Sequence, residues 1–262
     1  MGVLNVTPDS FSDGGLFLDP PAAVARAWAI AEEGADILDI GAESTRPGAE
    51  PVPVAEELER VLPVLEGLAG YPLPISIDTR KPEVARAALE AGAALVNDVS
   101  GLRSGPELAE EAARAGAALV LMHSRGEPAT MHLLPPSADI LGDIDVWAEE
   151  AVARARSSGV SSQRLILDPG IGFGKTSGQN LEVLRNLSRL AQSGFPLLVG
   201  TSRKSFIGSI LNRPADERAW GSAAAVAAAI LFGAHIIRVH DVRAMADVAR
   251  VADAIAGEGS RE

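Results

Sequence analysis

Three groups of residues in this sequence have the types and spacing for chemistry. Asp78, Asn97 and Asp168 each end a short apolar run, with no cation beside them in sequence. Carboxylates aimed into apolar surroundings are costly unless donors meet them. A ligand with neighbouring N–H groups, such as the amidine-like edge of a heterocycle, would satisfy all three. Any one alone reads equally well as a helix cap or support residue, but the three together favour binding. The second group joins Ser202-Arg203-Lys204 to Arg238, His240 and Asp241. Arg238 and His240 stand two apart on an extended run and so share a face, and with Lys204 they suit a phosphate. Surface ion pairing fits Arg203 best and Lys204 least. The third group is Asn5 with Asp13. Oxygen ligands beside a phosphate site suit Mg²⁺, which takes one or two protein ligands and leaves the rest to water and phosphate.

Two other patterns fail on spacing. Gly170-Ile171-Gly172-Phe173-Gly174-Lys175-Thr176 resembles a phosphate loop, but the first glycine of that motif would fall at Pro169. His123 and His132 lack the spacing of a zinc-binding helix. His235, just before a strand, reads as structural.

The elements that must position these residues are legible as eight apolar runs: Gly2 to Val6, Asp36 to Ile40, Leu73 to Asp78, Ala94 to Asp98, Ala117 to Met122, Arg164 to Asp168, Pro196 to Thr201 and His235 to Val239. At or just past their ends stand Asn5, Glu43, Asp78, Asn97, His123, Asp168, Lys204, and Arg238 with His240. Near-continuous apolar runs suit parallel strands covered on both faces by helices. Eight such units predict a single-domain (β/α)₈ TIM barrel over residues 1–262, with its chemistry at the C-terminal mouth. Gly34, Gly92, Gly116 and Gly233, each followed by alanine, and Gly159 and Gly194 recur at helix-to-strand junctions. That repetition predicts one left-handed helix stop reused around the ring. Pro63 predicts a kink in the helix whose apolar face includes Val54, Leu58, Val61 and Leu65. The longest strand-to-helix connections are Thr7 to Gly15, Gly41 to Pro53, and His123 towards Asp139, and there function should concentrate.

A net charge of −12 and the lack of any basic run argue against nucleic acid, so an anionic substrate must be held by a local cluster. Zero cysteines fit a reducing compartment. The longest apolar stretch, Ala223 to Phe232, is too short to span a membrane, and the expected location is cytoplasmic. The tail from Gly257 to Glu262 is expected to be disordered.

In order along the chain, Asn5 to Gly15, Asp39-Ile40-Gly41 with Glu43 to Gly48, Ser76 to Thr79, Asn97 to Gly101, Asp168-Pro169-Gly170, Ser202-Arg203-Lys204 and Arg238 to Asp241 resemble the signature blocks of the dihydropteroate synthases. The resemblance implies condensation of 6-hydroxymethyl-7,8-dihydropterin diphosphate with 4-aminobenzoate, in folate biosynthesis, by a homodimeric transferase that sulfonamides inhibit. It implies that Asp78, Asn97 and Asp168 hold the pterin edge, with Lys204 on the ring's carbonyl and N5 side. Arg238 and His240 would hold the diphosphate, and Asn5 and Asp13 would bind Mg²⁺. Thr45 and Arg46 would close over the site, while Phe173 and Ser205 would form the aminobenzoate pocket. Catalysis is implied for Lys204, Asp78, Arg238 and Asp13. Ala42 and Gln179 depart from the family's usual glycine and histidine, outside these contacts. Many relatives carry an N-terminal hairpin before the first strand, so a truncated start is expected here. The alternatives are a methyltetrahydrofolate methyltransferase domain, which needs no diphosphate site, and a non-catalytic pterin-binding paralogue.

Overall fold

The computed structural model describes residues 1–7, 19–44, 49 and 51–257. The predicted sites at Asp13, Thr45 and Arg46, and the tail beyond Gly257, lie outside the described residues. The chain alternates strand and helix: β1 (Gly2–Asn5), α1 (Pro20–Glu32), β2 (Leu38–Gly41), α2 (Val54–Gly67), β3 (Ile75–Asp78), α3 (Pro82–Glu90), β4 (Leu95–Asp98), α4 (Glu107–Ala115), β5 (Ala118–Met122), α5 (Ile140–Ser157) and β6 (Leu165–Asp168). Then come α6 (Ser177–Arg185), α7 (Leu187–Ala191), β7 (Leu198–Val199), α8 (Ser205–Leu211), α9 (Ala219–Leu231), β8 (Ile236–Ile237) and α10 (Val242–Ala256). Strands β1 to β6 pair in parallel in chain order, and β7 pairs with β8. Parallel bridges Leu167–Leu197 and Gly2–Val239 join the two sheets and close the (β/α)₈ barrel.

Helix stops behave as the sequence predicts. Gly34, Gly92, Gly116, Gly159, Gly194 and Gly233 all have φ between 65° and 104°, a region open to glycine at no Cβ cost. The helix α2 runs through Pro63 without a break, with Val61, Val64 and Leu65 buried and Pro63 on the exposed face. The Glu59 carbonyl, which loses its helical donor to Pro63, belongs to the same exposed face.

Two apolar layers hold the barrel. The larger lies between strands and helices, and includes Leu4, Ile40, Ile77, Leu121 and Leu165. The smaller, Met1, Leu95, Val120, Ile166 and Leu198 with Ile37 and Ile236 against it, plugs the interior. Side chains alternate along a strand. Two residues beyond Ile37, Leu95, Ile166 and Ile236 therefore come Asp39, Asn97, Asp168 and Arg238, on the same inward face. The apolar plug thus hands over to a polar ring one layer higher, at the mouth.

Candidate active site

The mouth is a cavity of about 490 Å³. Asn5, Asp78, Asn97, Asp168, Phe173, Lys204, Ser205, Arg238 and His240 all line it, so every predicted site residue among the described ones reaches the same space. Another cavity of about 480 Å³ lies on the outer wall between α5 and α7, but its Asp145–Arg189 pair is closed on itself and exposed.

Strand register sets the acceptor wall, for Asp78 pairs across β3–β4 with Asn97. Asp168 is 6% exposed, and its Oδ1 accepts the Gly170 N–H at 2.7 Å. Burial pushes its carboxyl up to about 6, against the pull of that N–H and of Lys204. Burial likewise pushes Asp78 up to about 7, against Arg238.

No cation stands beside Asp78 in sequence, and the fold supplies one from across the barrel. Arg238 Nη2 donates to Asp78 Oδ2 at 2.7 Å, while Nε donates to Asp39 Oδ2 at 2.6 Å. Asp39 is fully buried and also accepts from Asn97 Nδ2 at 3.2 Å. Asp39, a buried support behind the cavity wall that bonds two of its lining residues, is what sequence reasoning missed. It sits inside an apolar run rather than at its end, and period-two alternation from Ile37 was the signal that could have found it. Although burial pulls Arg238 down, the Asp39 and Asp78 carboxylates carry it above its ordinary value, and it stays cationic.

A second wall is basic. Lys204 Nζ lies 4.3 Å from the Phe173 ring centroid, and burial with Arg238 nearby lowers its ammonium to about 8. Burial, then Arg238, Arg203 and Lys204, lowers His240 to about 3, so this member of the cluster is neutral. Its Nδ1 lies 3.1 Å from Ser202 Oγ. Arg203 turns away into a two-point pair with Asp241, 3.0 Å at Nε. Its backbone φ of 58° is a strained value for a non-glycine residue. The Arg203 N–H donates to Ser222 and its carbonyl accepts from Arg218, fixing the turn that aims Lys204 inward.

Other singled-out residues serve structure. Glu43 accepts from Arg80, Lys81 and the Val52 N–H, tying the base of the second loop. His123 is buried edge-on against Trp147, with ring centroids 5.4 Å apart, and burial lowers it to about 2. His235 Nδ1 accepts the Leu197 N–H at 3.1 Å. Gln179 forms a capping box with Thr176 at the start of α6 and donates to the Ser137 carbonyl at 2.9 Å. The departure from histidine at this position is thus filled by a complete set of local bonds.

A family model for pterin binding enzymes matches residues 1–240. A dihydropteroate synthase of Synechocystis sp. is 52% identical over 97% of this chain and 89% of its own length. A Yersinia pestis dihydropteroate synthase solved with a sulfonamide drug superposes with a TM-score of 0.94 at 42% identity, covering 98% of this chain and 93% of its own. A Clostridium difficile counterpart, solved in the presence of pteroic acid, gives 0.90 at 44%, covering 97% and 95%. A fold, a polar mouth and a near-full-length match agree: the chain belongs to the dihydropteroate synthase family of pterin-binding enzymes.

Proposed function

We propose that this chain joins 6-hydroxymethyl-7,8-dihydropterin diphosphate to 4-aminobenzoate, giving 7,8-dihydropteroate and pyrophosphate. One observation carries the reading. On a protein of net charge −12, a single cavity joins a wall of buried acceptors to a wall holding Lys204 and His240, with Arg238 at the seam where it bridges Asp39 and Asp78. The acceptors suit the N–H edge of a pterin, and the cations suit its diphosphate. A methyltransferase would have no use for the second wall.

Asp78, Asn97 and Asp168 orient the ring, so that the methylene–oxygen bond faces the basic wall. That bond breaks with its electron pair leaving on the diphosphate, whose charge Lys204 and Arg238 stabilise. The amine lone pair of 4-aminobenzoate, seated by Phe173 and Ser205, then forms the carbon–nitrogen bond. The new nitrogen gives its proton to solvent, so no strong general base is needed. Among the described residues no cluster of three or more His, Asp or Glu side chains could hold a metal alone. Mg²⁺ bound partly by phosphate and water needs fewer, and the Asn5 side-chain oxygen at the mouth fits that donor set, with Asp13 as its proposed companion. Bound there, the ion would offset charge on the departing diphosphate.

No helix among the described residues is long and apolar enough to cross a membrane, and the proposed location is the cytoplasm. A homodimer is proposed through α9 and α10, where Trp220, Val251 and Ile255 are exposed; sedimentation velocity reads its mass. The activity is tested by measuring pyrophosphate release. Release that needs both substrates supports the synthase, and binding of the pterin without release supports a non-catalytic paralogue.

A further inference from the structure

The segment Gly170 to Thr176, which fails as a phosphate loop, carries a lysine that the mechanism leaves unused. Lys175 does not point to solvent. Its Nζ donates to three backbone carbonyls, of Gly170 at 2.8 Å, His123 at 3.3 Å and Phe173 at 3.4 Å. Two of these belong to the loop after β6, and the third to the end of β5. The two loops lie backbone against backbone. A Cβ on Gly170 would come within 1.8 Å of the His123 carbonyl, and one on Gly174 within 2.4 Å of the Arg125 carbonyl, both at φ of 66°. Only glycine permits that approach, and the ammonium fastens it from inside.

We infer that Lys175 is a positioning residue that fixes the aminobenzoate wall relative to the pterin wall, holding Phe173 at one end of a short loop and Gly170, the N–H donor to Asp168, at the other. The inference rests on the synthase reading above. Among the described residues, Phe173 is held over the cavity by its ring contact with Lys204 and by its backbone bonds. Its N–H donates to the Gly170 carbonyl at 3.1 Å, the same oxygen that Lys175 holds. Next to Phe173 the Gly172 N–H donates to Asn180, and the loop's far end is closed by the Thr176–Gln179 cap. Lys175 holds the carbonyls on either side of the Gly172 bond, at Gly170 and at Phe173 itself, where the aromatic ring is mounted. Asp168, at the end of a barrel strand, is held by register as well, so the aminobenzoate side is the more sensitive. Burial lowers the Lys175 ammonium to about 7, and the charged groups facing it are Asp168 from β6, Lys204 ahead of α8, Arg125 from the loop after β5 and Asp143 from α5. Of these only Asp168 and Asp143 favour its charge, so the three carbonyls are its main support.

The test is Lys175→Met in the full chain, with steady-state kinetics for each substrate and calorimetry with the pterin. Misplacing a substrate-positioning group by about 1 Å can cost on the order of 10²-fold. The expected result is a fall of about tenfold or more in kcat/KM for 4-aminobenzoate, with pterin affinity changed less than about threefold. A role in folding alone would lower the melting temperature and leave both constants of the surviving enzyme intact, and that result overturns the inference; so does an equal loss for both substrates. Should the methionine variant not fold, Lys175→Gln, which keeps a donor for one carbonyl and carries no charge, is measured for the same split. The wild type is assayed alongside. If it makes no pyrophosphate, the synthase reading fails, and binding of 4-aminobenzoate to wild type and variant by calorimetry, with pyrophosphate and Mg²⁺ present in both, still decides the positioning role.

Discussion

Replacing Arg238 with Met keeps an apolar stem of similar length and removes the guanidinium. By motif logic alone the loss falls on the diphosphate, at about 1.5–3 kcal/mol for charged hydrogen bonds, with the pterin unaffected. The structure adds a second consequence. Asp39 and Asp78 lose the cation that bridges them. Removing one partner of a buried pair costs about 3–5 kcal/mol, and the 23% exposure of the Arg238 side chain favours the lower end, about 3 kcal/mol. Most of that falls on Asp39. Asp78, already pushed up to about 7, escapes by taking a proton near neutrality. A protonated Asp78 presents a donor where the pterin edge needs an acceptor, so a pterin lacking the diphosphate should also bind more weakly. Denaturant unfolding and calorimetry with pyrophosphate and with the free pterin separate these effects. Unchanged stability together with unchanged pterin affinity would refute the bridging role. Lowered stability with intact pyrophosphate affinity would refute the anion site.

The pH dependence of binding and of stability should run in opposite directions. Burial holds Asp168 near 6, above its ordinary 3.8, so its contribution to the stability of the ligand-free protein is present below 3.8 and lost as pH rises through 6. Pterin binding needs the ionised acceptors, Asp168 near 6 and Asp78 near 7, so the thermal shift caused by a pterin should grow as pH rises through both values; a shift that is flat or shrinks with pH would contradict the assignment. Lys204, held near 8, should lose its hold on diphosphate above that pH, and kcat/KM for the pterin diphosphate should trace a bell between the two limbs. A sulfonamide should compete with 4-aminobenzoate and bind weakly until pyrophosphate with Mg²⁺ is added, since Phe173 and Ser205 share one cavity with Arg238 and His240; equal affinity with and without pyrophosphate would speak against that coupling.

Much of this molecule is legible before folding because a parallel barrel writes itself as apolar runs with polar ends. Asp78, Asn97 and Asp168 stand at those ends, and strand register alone brings Asp78 level with Asn97. The runs overreach where pairing is short. Pro196 to Thr201 contains only the strand Leu198–Val199, with Leu197 in a single bridge to Leu167 and with Gly200 and Thr201 already leading into the loop that carries Lys204. What stays hidden is partnership across the barrel. Arg238 lies 199 positions from Asp39 in sequence, and nothing local marks them as bonded. The neutrality of His240 is hidden as well, since it arises from burial among Arg238, Arg203 and Lys204 rather than from its own neighbours in the chain. Lys175 reads as part of a phosphate-loop lookalike, and only the inward fold of its loop shows three carbonyls waiting for it.

The most direct test of the two-walled mouth is calorimetry of the pterin with Asp168→Asn. The substitution preserves size and keeps one acceptor, but it turns an N–H donor towards the donor edge of the ligand. Groups left buried and unpaired cost about 1–3 kcal/mol each, more when charge is involved. The account predicts a loss of pterin affinity of at least about tenfold to a hundredfold, with pyrophosphate affinity and the unfolding midpoint held close to wild type. Pterin affinity equal to that of the wild type would show that Asp168 caps its loop through the Gly170 N–H and does not read the ligand.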